Sequence, residues 1–109
     1  MAASDNVINI SSSHEEEWES FVEEHCPMVI QTSAKWCGPC KKILPFFKKL
    51  SSNDKTVTYC YVDIDKCENL ARELEIAAVP TFIYINQDGT EVSRITGGDE
   101  RELEKWLQT

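Results

Sequence analysis

Cys37 and Cys40 are the residues of this 109-residue chain best suited to chemistry. They stand in the run Trp36-Cys37-Gly38-Pro39-Cys40, after an apolar stretch that reads as a strand and at the opening of a helical pattern. In the first turn of a helix two such residues share one side, with Cα atoms about 5–6 Å apart, which is within disulfide reach. The attacking species in disulfide exchange is a thiolate. At Cys37 the unpaired N–H groups and the dipole of the helix favour negative charge, and Lys35, Lys41 and Lys42 flank the pair. Cys37 is therefore expected to have the lower pKa and to attack. Cys40, further into the helix, is expected to be more buried and to act as the resolving thiol. Pro39 suits a first helical turn, where its missing N–H would have no partner. Gly38 keeps the approach to Cys37 uncrowded.

The same spacing is half of a zinc site, but zinc needs two further ligands. No second close pair exists: His14 and His25 stand alone, and six residues separate Cys60 from Cys67. No metal is expected. Five cysteines at irregular spacing make a poor secreted disulfide framework and suit a reducing compartment. Cys60, within an apolar strand pattern, reads as a small buried hydrophobe. Cys67 opens a helix, so it is expected to be exposed and is the candidate for oxidative regulation or dimerisation. Cys26 has no assigned role.

The elements that position the pair alternate. Val7 to Ile10 reads as a strand. Ser13, with Glu16 completing a capping box, opens a helix whose buried side carries Trp18, Phe21 and Val22. Met28 to Ser33 is a strand, and a helix follows from Cys37 to about Leu50. Thr56 to Val62, rich in β-branched and aromatic residues, is a strand. Asp65 with Glu68 caps a helix to about Leu74. Thr81 to Ile85 and Glu91 to Ile95 form a hairpin over the turn Asn86 to Gly89. Asp99 with Glu102 caps the last helix after Gly97 and Gly98 break the chain. The expected architecture is α/β: a central mixed sheet of five strands flanked by four helices, parallel at first with an antiparallel edge.

The length fits one domain over residues 1–109. Apolar residues make up 41% and charged residues 28%, as in ordinary globular chains. No apolar run approaches the roughly 20 residues of a membrane span. Met1 to Ile10 lacks the pattern of a leader, which points to the cytoplasm. A net charge of −8 disfavours nucleic acid and anionic membranes as partners. The charge is uneven: acids crowd between Glu15 and Glu24, whereas no Asp or Glu occurs from His25 to Asn53.

Trp-Cys-Gly-Pro-Cys resembles the active-site signature of the thioredoxin family, and the resemblance extends over nearly the whole chain. Pro45, five residues after Cys40, is similar to the proline that kinks the family's active-site helix. Ala78-Val79-Pro80-Thr81-Phe82 resembles its cis-proline segment, and Gly89 and Gly97 match its later glycines. Asp63-Ile64-Asp65-Lys66-Cys67 looks more like the eukaryotic cytosolic branch than the bacterial one. The resemblance implies a thioredoxin fold, a cis Pro80 facing the dithiol, and a Val79 backbone that pairs with extended substrate. Trp36 and Gly97 would also meet substrate.

It further implies a protein dithiol–disulfide oxidoreductase that works without a bound cofactor. Its electrons would come from NADPH through a flavin thioredoxin reductase. Its substrates would be disulfide-containing proteins, peroxiredoxin among them, and the chain would act as a monomer. One position departs from the family. Gln31 stands six residues before Cys37, where the family carries a buried aspartate, and Thr32 and Ser33 follow in place of an aromatic pair. Gln31 hydrogen-bonds but does not titrate. Resolution by Cys40 is therefore expected to be slower than in relatives with the acid. The alternative is a partner-binding or specialised redox protein with weakened general reductase activity.

Overall fold

Residues 6–108 are described by a computed structural model of the chain. The reading of the N-terminus as leader-free falls partly on residues 1–5, outside that range. Ten elements follow one another: β1 (Ile8–Asn9), α1 (Ser12–Glu16), α2 (Trp18–His25), β2 (Met28–Ser33), α3 (Gly38–Asn53), β3 (Thr58–Asp63), α4 (Glu68–Glu73), β4 (Thr81–Ile85), β5 (Glu91–Thr96) and α5 (Glu100–Leu107). The five strands form one sheet in the order β1-β3-β2-β4-β5. β1 and β2 run parallel to β3, joined by helical crossovers, while β4 is antiparallel to both β2 and β5. The expected mixed sheet is thus present.

Both faces of the sheet are covered, so every residue of β2 is buried, the apolar Met28, Val29 and Ile30 and the polar Gln31, Thr32 and Ser33 alike. Side chains alternate along it. Met28 and Ile30 join Trp18, Phe21, Leu70 and Ile83 under α2 and α4. Val29 faces the other way and packs with Ile43 and Phe47 of α3, Tyr59, Phe82 and Leu103 of α5. Phe47 is fully buried, edge-on to Tyr59 at 5.3 Å and tilted against Phe82 at 5.7 Å. This docking fixes α3, and α3 carries the cysteine pair.

Three expectations are corrected. The first helical segment is capped by Ser11, whose partner in the capping box is His14, in place of Ser13 and Glu16. The segment also breaks at Glu17, so the described residues form five helices where four were expected. Asp65 does not cap α4. The N–H of Leu70 instead donates to Glu15 Oε2 at 2.7 Å, from a residue 55 positions away, and Asp63 Oδ1 takes the N–H of Asp65 at 2.9 Å. Asp99 does cap α5, accepting from Glu102 N at 3.0 Å.

The third correction concerns Cys67. It is buried, with its Sγ 3.6 Å from the Ile10 carbonyl oxygen. Its position before α4 turns the side chain into the core, and burial pushes the thiol pKa up. Exposure, the basis for its regulatory role, is absent. Cys60 is fully buried, as expected, and Cys26 is half-buried.

The buried thiol of Cys60 makes stability depend on pH. Burial raises it from 9.0 to about 12. Below pH 9 the folded and unfolded chains both keep this proton, so the contribution is constant. Between pH 9 and 12 the unfolded chain loses it first, and stability falls as pH rises. The slope is about 1.4 kcal/mol per pH unit for one such group. Tyr59, raised to about 12 by burial and then by Asp54, acts in the same sense at slightly higher pH. Urea midpoints are expected to drop between pH 8 and 10.5, and Cys60→Ala to flatten the drop. Equal slopes in the two proteins would contradict this assignment.

Candidate functional site

The site lies where β2 ends and α3 begins. After Ser33 the chain turns through Ala34, Lys35 and Trp36, and Cys37 N donates to the Ala34 carbonyl at 3.1 Å. Cys37 is the N-cap of α3 in extended conformation. Cys37 and Cys40 are joined as a disulfide with Cα atoms 5.3 Å apart. Cys40 N–H donates to Cys37 Sγ at 3.2 Å. A backbone donor at the head of a helix is therefore aimed at the sulfur, the geometry that stabilises a thiolate there once the disulfide opens. Cys37 retains 5% exposure and Cys40 none, so an incoming sulfur meets Cys37 first.

The segment before β4 faces this pair. The Val79–Pro80 peptide is cis, and the Val79 carbonyl oxygen is 3.7 Å from Cys37 Sγ. Gly97 N donates to the Pro80 carbonyl at 2.9 Å, tying the end of β5 to the cis-proline. Gly97 has φ 118°, a left-handed conformation that glycine adopts without strain. Trp36 is 70% exposed, and its Nε1 donates to Asp65 Oδ2 at 3.1 Å. A large apolar surface is thus held open beside Cys37.

The supporting residues fall into place around the pair. A Cβ on Gly38 would meet nothing within 4 Å, so this side of Cys37 is open. Pro39 occupies the first turn of α3, and Lys35, Lys41 and Lys42 are exposed. Gln31 is fully buried, and its Nε2 donates to the Cys40 carbonyl at 3.2 Å. It braces the backbone of Cys40.

Two contributors escaped the sequence reading. Asp65 orients Trp36 from 29 residues away, a pairing with no local signature. Gly98 read only as a chain break. A Cβ there would come within 3.1 Å of Pro39 Cβ and 3.3 Å of its carbonyl oxygen. Glycine lets the β5–α5 connection close against the active-site turn. Among the described residues no group of three or more His, Cys, Asp or Glu is placed to hold a metal ion. No described helix is long and apolar enough to cross a membrane.

Known proteins share this arrangement. The thioredoxin family model matches residues 9–109. Thioredoxin-3 of Dictyostelium discoideum is 40% identical over 102 residues, covering 94% of each chain. Thioredoxin H2-1 of Oryza sativa subsp. japonica is 36% identical over 103 residues, 94% of this chain and 74% of its own. The crystal structure of thioredoxin NaTrxh from Nicotiana alata superposes with a TM-score of 0.86 at 30% identity, covering 99% of this chain and 95% of that one. A chain from structural work on thiol resolution in yeast mitochondrial 1-Cys peroxiredoxin, by the glutathione and thioredoxin systems, superposes at 0.84 with 28% identity. It covers 96% of this chain and 98% of that chain. This chain belongs to the thioredoxin family, and the dithiol at the head of α3 is the redox pair of a thiol–disulfide oxidoreductase.

Proposed function

We propose that residues 1–109 form a single thioredoxin domain of the eukaryotic cytosolic type, which reduces disulfides in proteins as a cytoplasmic monomer. The observation that carries this reading is the Cys40 N–H aimed at Cys37 Sγ beside the cis-Pro80 segment. The Cys37 thiolate attacks one sulfur of the substrate disulfide, forming a mixed disulfide and releasing the other sulfur as a thiolate that takes up a proton. Cys40, deprotonated, then attacks Cys37. The Cys37–Cys40 bond forms, and the substrate leaves with both electrons. Trp36, Val79, Pro80 and Gly97 form the surface that receives the substrate. Gly38, Pro39, Lys41 and Gln31 support the pair. Gln31 carries no proton to or from Cys40, so resolution is slower than in relatives with an acid at that position.

No cofactor binds to the chain in this scheme. NADPH and a flavin thioredoxin reductase restore the dithiol, and disulfide-containing proteins, peroxiredoxins among them, consume it. The test is electron-donor choice. Insulin reduction is expected to consume NADPH when the chain is coupled to a thioredoxin reductase, and only slowly with glutathione and glutathione reductase. The buried, non-titrating Gln31 favours a second reading, a specialised partner-binding or redox protein. Glutathione-driven turnover, or none with either donor, would replace the first reading with the second.

A further inference from the structure

A cavity of about 280 Å³ lies far from the dithiol, on the sheet face covered by α3 and α5. It sits at the opposite end of α3. The 16 residues of that helix separate its two caps, Cys37 and Asp54, by about 25 Å. The rings of Tyr59, Tyr84 and Trp106 line the cavity, with Asp54 among them. Trp106 is fixed by its Nε1, which donates to Ser93 Oγ at 2.7 Å. Val92 stands at the rim, 54% exposed, a bare apolar side chain on the outer strand that the dithiol face does not use.

One end of the cavity is negative. Asp54 is the C-cap of α3, where the carbonyl groups of the last turn already carry partial negative charge. No basic residue lies in that turn to offset it, and among the described residues no lysine or arginine forms an ion pair with Asp54. The carboxylate is held in place: its Oδ1 accepts from the Thr56 N–H at 2.9 Å and from the Thr56 hydroxyl. Burial first, then Asp54 and Tyr84, push the Tyr59 phenol up to about 12. Two hydroxyls and a carboxylate therefore share that end, and apolar surface makes up the rest.

We propose that this cavity binds a small aromatic ammonium ion, its charged nitrogen at Asp54 and its ring against Trp106 and Val92. An ammonium group has three donors and no acceptor, which suits a carboxylate flanked by phenol oxygens. The negative faces of the surrounding rings attract the same charge. The volume equals that of about nine waters, so the ligand has about ten non-hydrogen atoms. A lysine side chain from a partner protein would meet the carboxylate but leave the apolar end unfilled. Cys37 is far enough away for disulfide reduction to continue while the cavity is occupied.

The experiment titrates the whole, ¹⁵N-labelled chain with 2-phenylethylamine at neutral pH and follows the indole N–H resonances. A saturable shift is expected at Trp106 and none at Trp36, with insulin reduction unchanged by the amine. The neutral isostere 2-phenylethanol is expected to bind about tenfold more weakly, and Asp54→Asn to weaken the amine by about the same factor. Val92→Arg, on an exposed strand position, sets a competing cation at the rim and is expected to weaken binding as well. Circular dichroism verifies that each variant is folded. No saturable shift at Trp106, equal affinity for amine and alcohol, or full affinity in folded Asp54→Asn would each overturn the inference. A shift centred on Trp36 with insulin reduction inhibited would also overturn it, because the ligand would then sit on the dithiol face.

Discussion

A Cys40→Ser variant accumulates a stable mixed disulfide with its protein substrates through Cys37, whereas Cys37→Ser forms none. The expectation follows from the asymmetry of the pair. Cys37 retains an exposed edge and receives the Cys40 N–H, while Cys40 is sealed beneath it. Removing Cys40 Sγ leaves the backbone donor and the helix head in place, so attack survives and resolution stops. Removing Cys37 Sγ leaves only a thiol that no substrate sulfur reaches. Non-reducing gels with mass spectrometry of the linked peptide would read the outcome. Adducts on Cys40 in the Cys37→Ser protein, at the level seen on Cys37 in the converse variant, would reverse the assigned order.

Phe47→Ala is expected to lower stability by about 3–5 kcal/mol, the range for truncating a large buried aromatic side chain. For a domain of this size that corresponds to a fall in Tm of about 15–30 °C. Phe47 is fully buried where α3 meets β3 and β4, between Tyr59 and Phe82. The hole would lie under the helix that presents Cys40, so its cost falls on the site as well as on the fold. Net stabilities of small domains are about 5–15 kcal/mol, which leaves the variant folded but marginal at 25 °C. Differential scanning calorimetry would measure it. A fall of less than about 4 °C would mean that the core closes around the hole, and that α3 is not anchored there as described.

Local chemistry explains what could be read from the chain alone. β2 opens on the apolar Met28, Val29 and Ile30, and β4 is apolar after Thr81; their ends match the expected Met28 to Ser33 and Thr81 to Ile85. Asp99 caps the helix that immediately follows it, so its role is visible within four residues. The dithiol was legible because a strand, two cysteines and a proline at a helix start form one continuous word. What escaped was settled at long range. Glu15 caps α4 from 55 residues away, which leaves Asp65 free for the indole of Trp36. Cys67 sits before a short helix, and only the packing of that helix on the sheet turns its thiol inward. Gly98 looked like punctuation, yet its missing side chain is what Pro39 rests against.

The central claim is that this chain reduces protein disulfides through Cys37. Dithiothreitol-driven reduction of insulin, followed by the turbidity of the released B chain, tests it most directly. Wild type is expected to shorten the lag and accelerate precipitation, and Cys37→Ser to match the rate without protein. Catalysis that survives in Cys37→Ser, or is missing from folded wild type with an intact Cys37–Cys40 pair, would contradict the account.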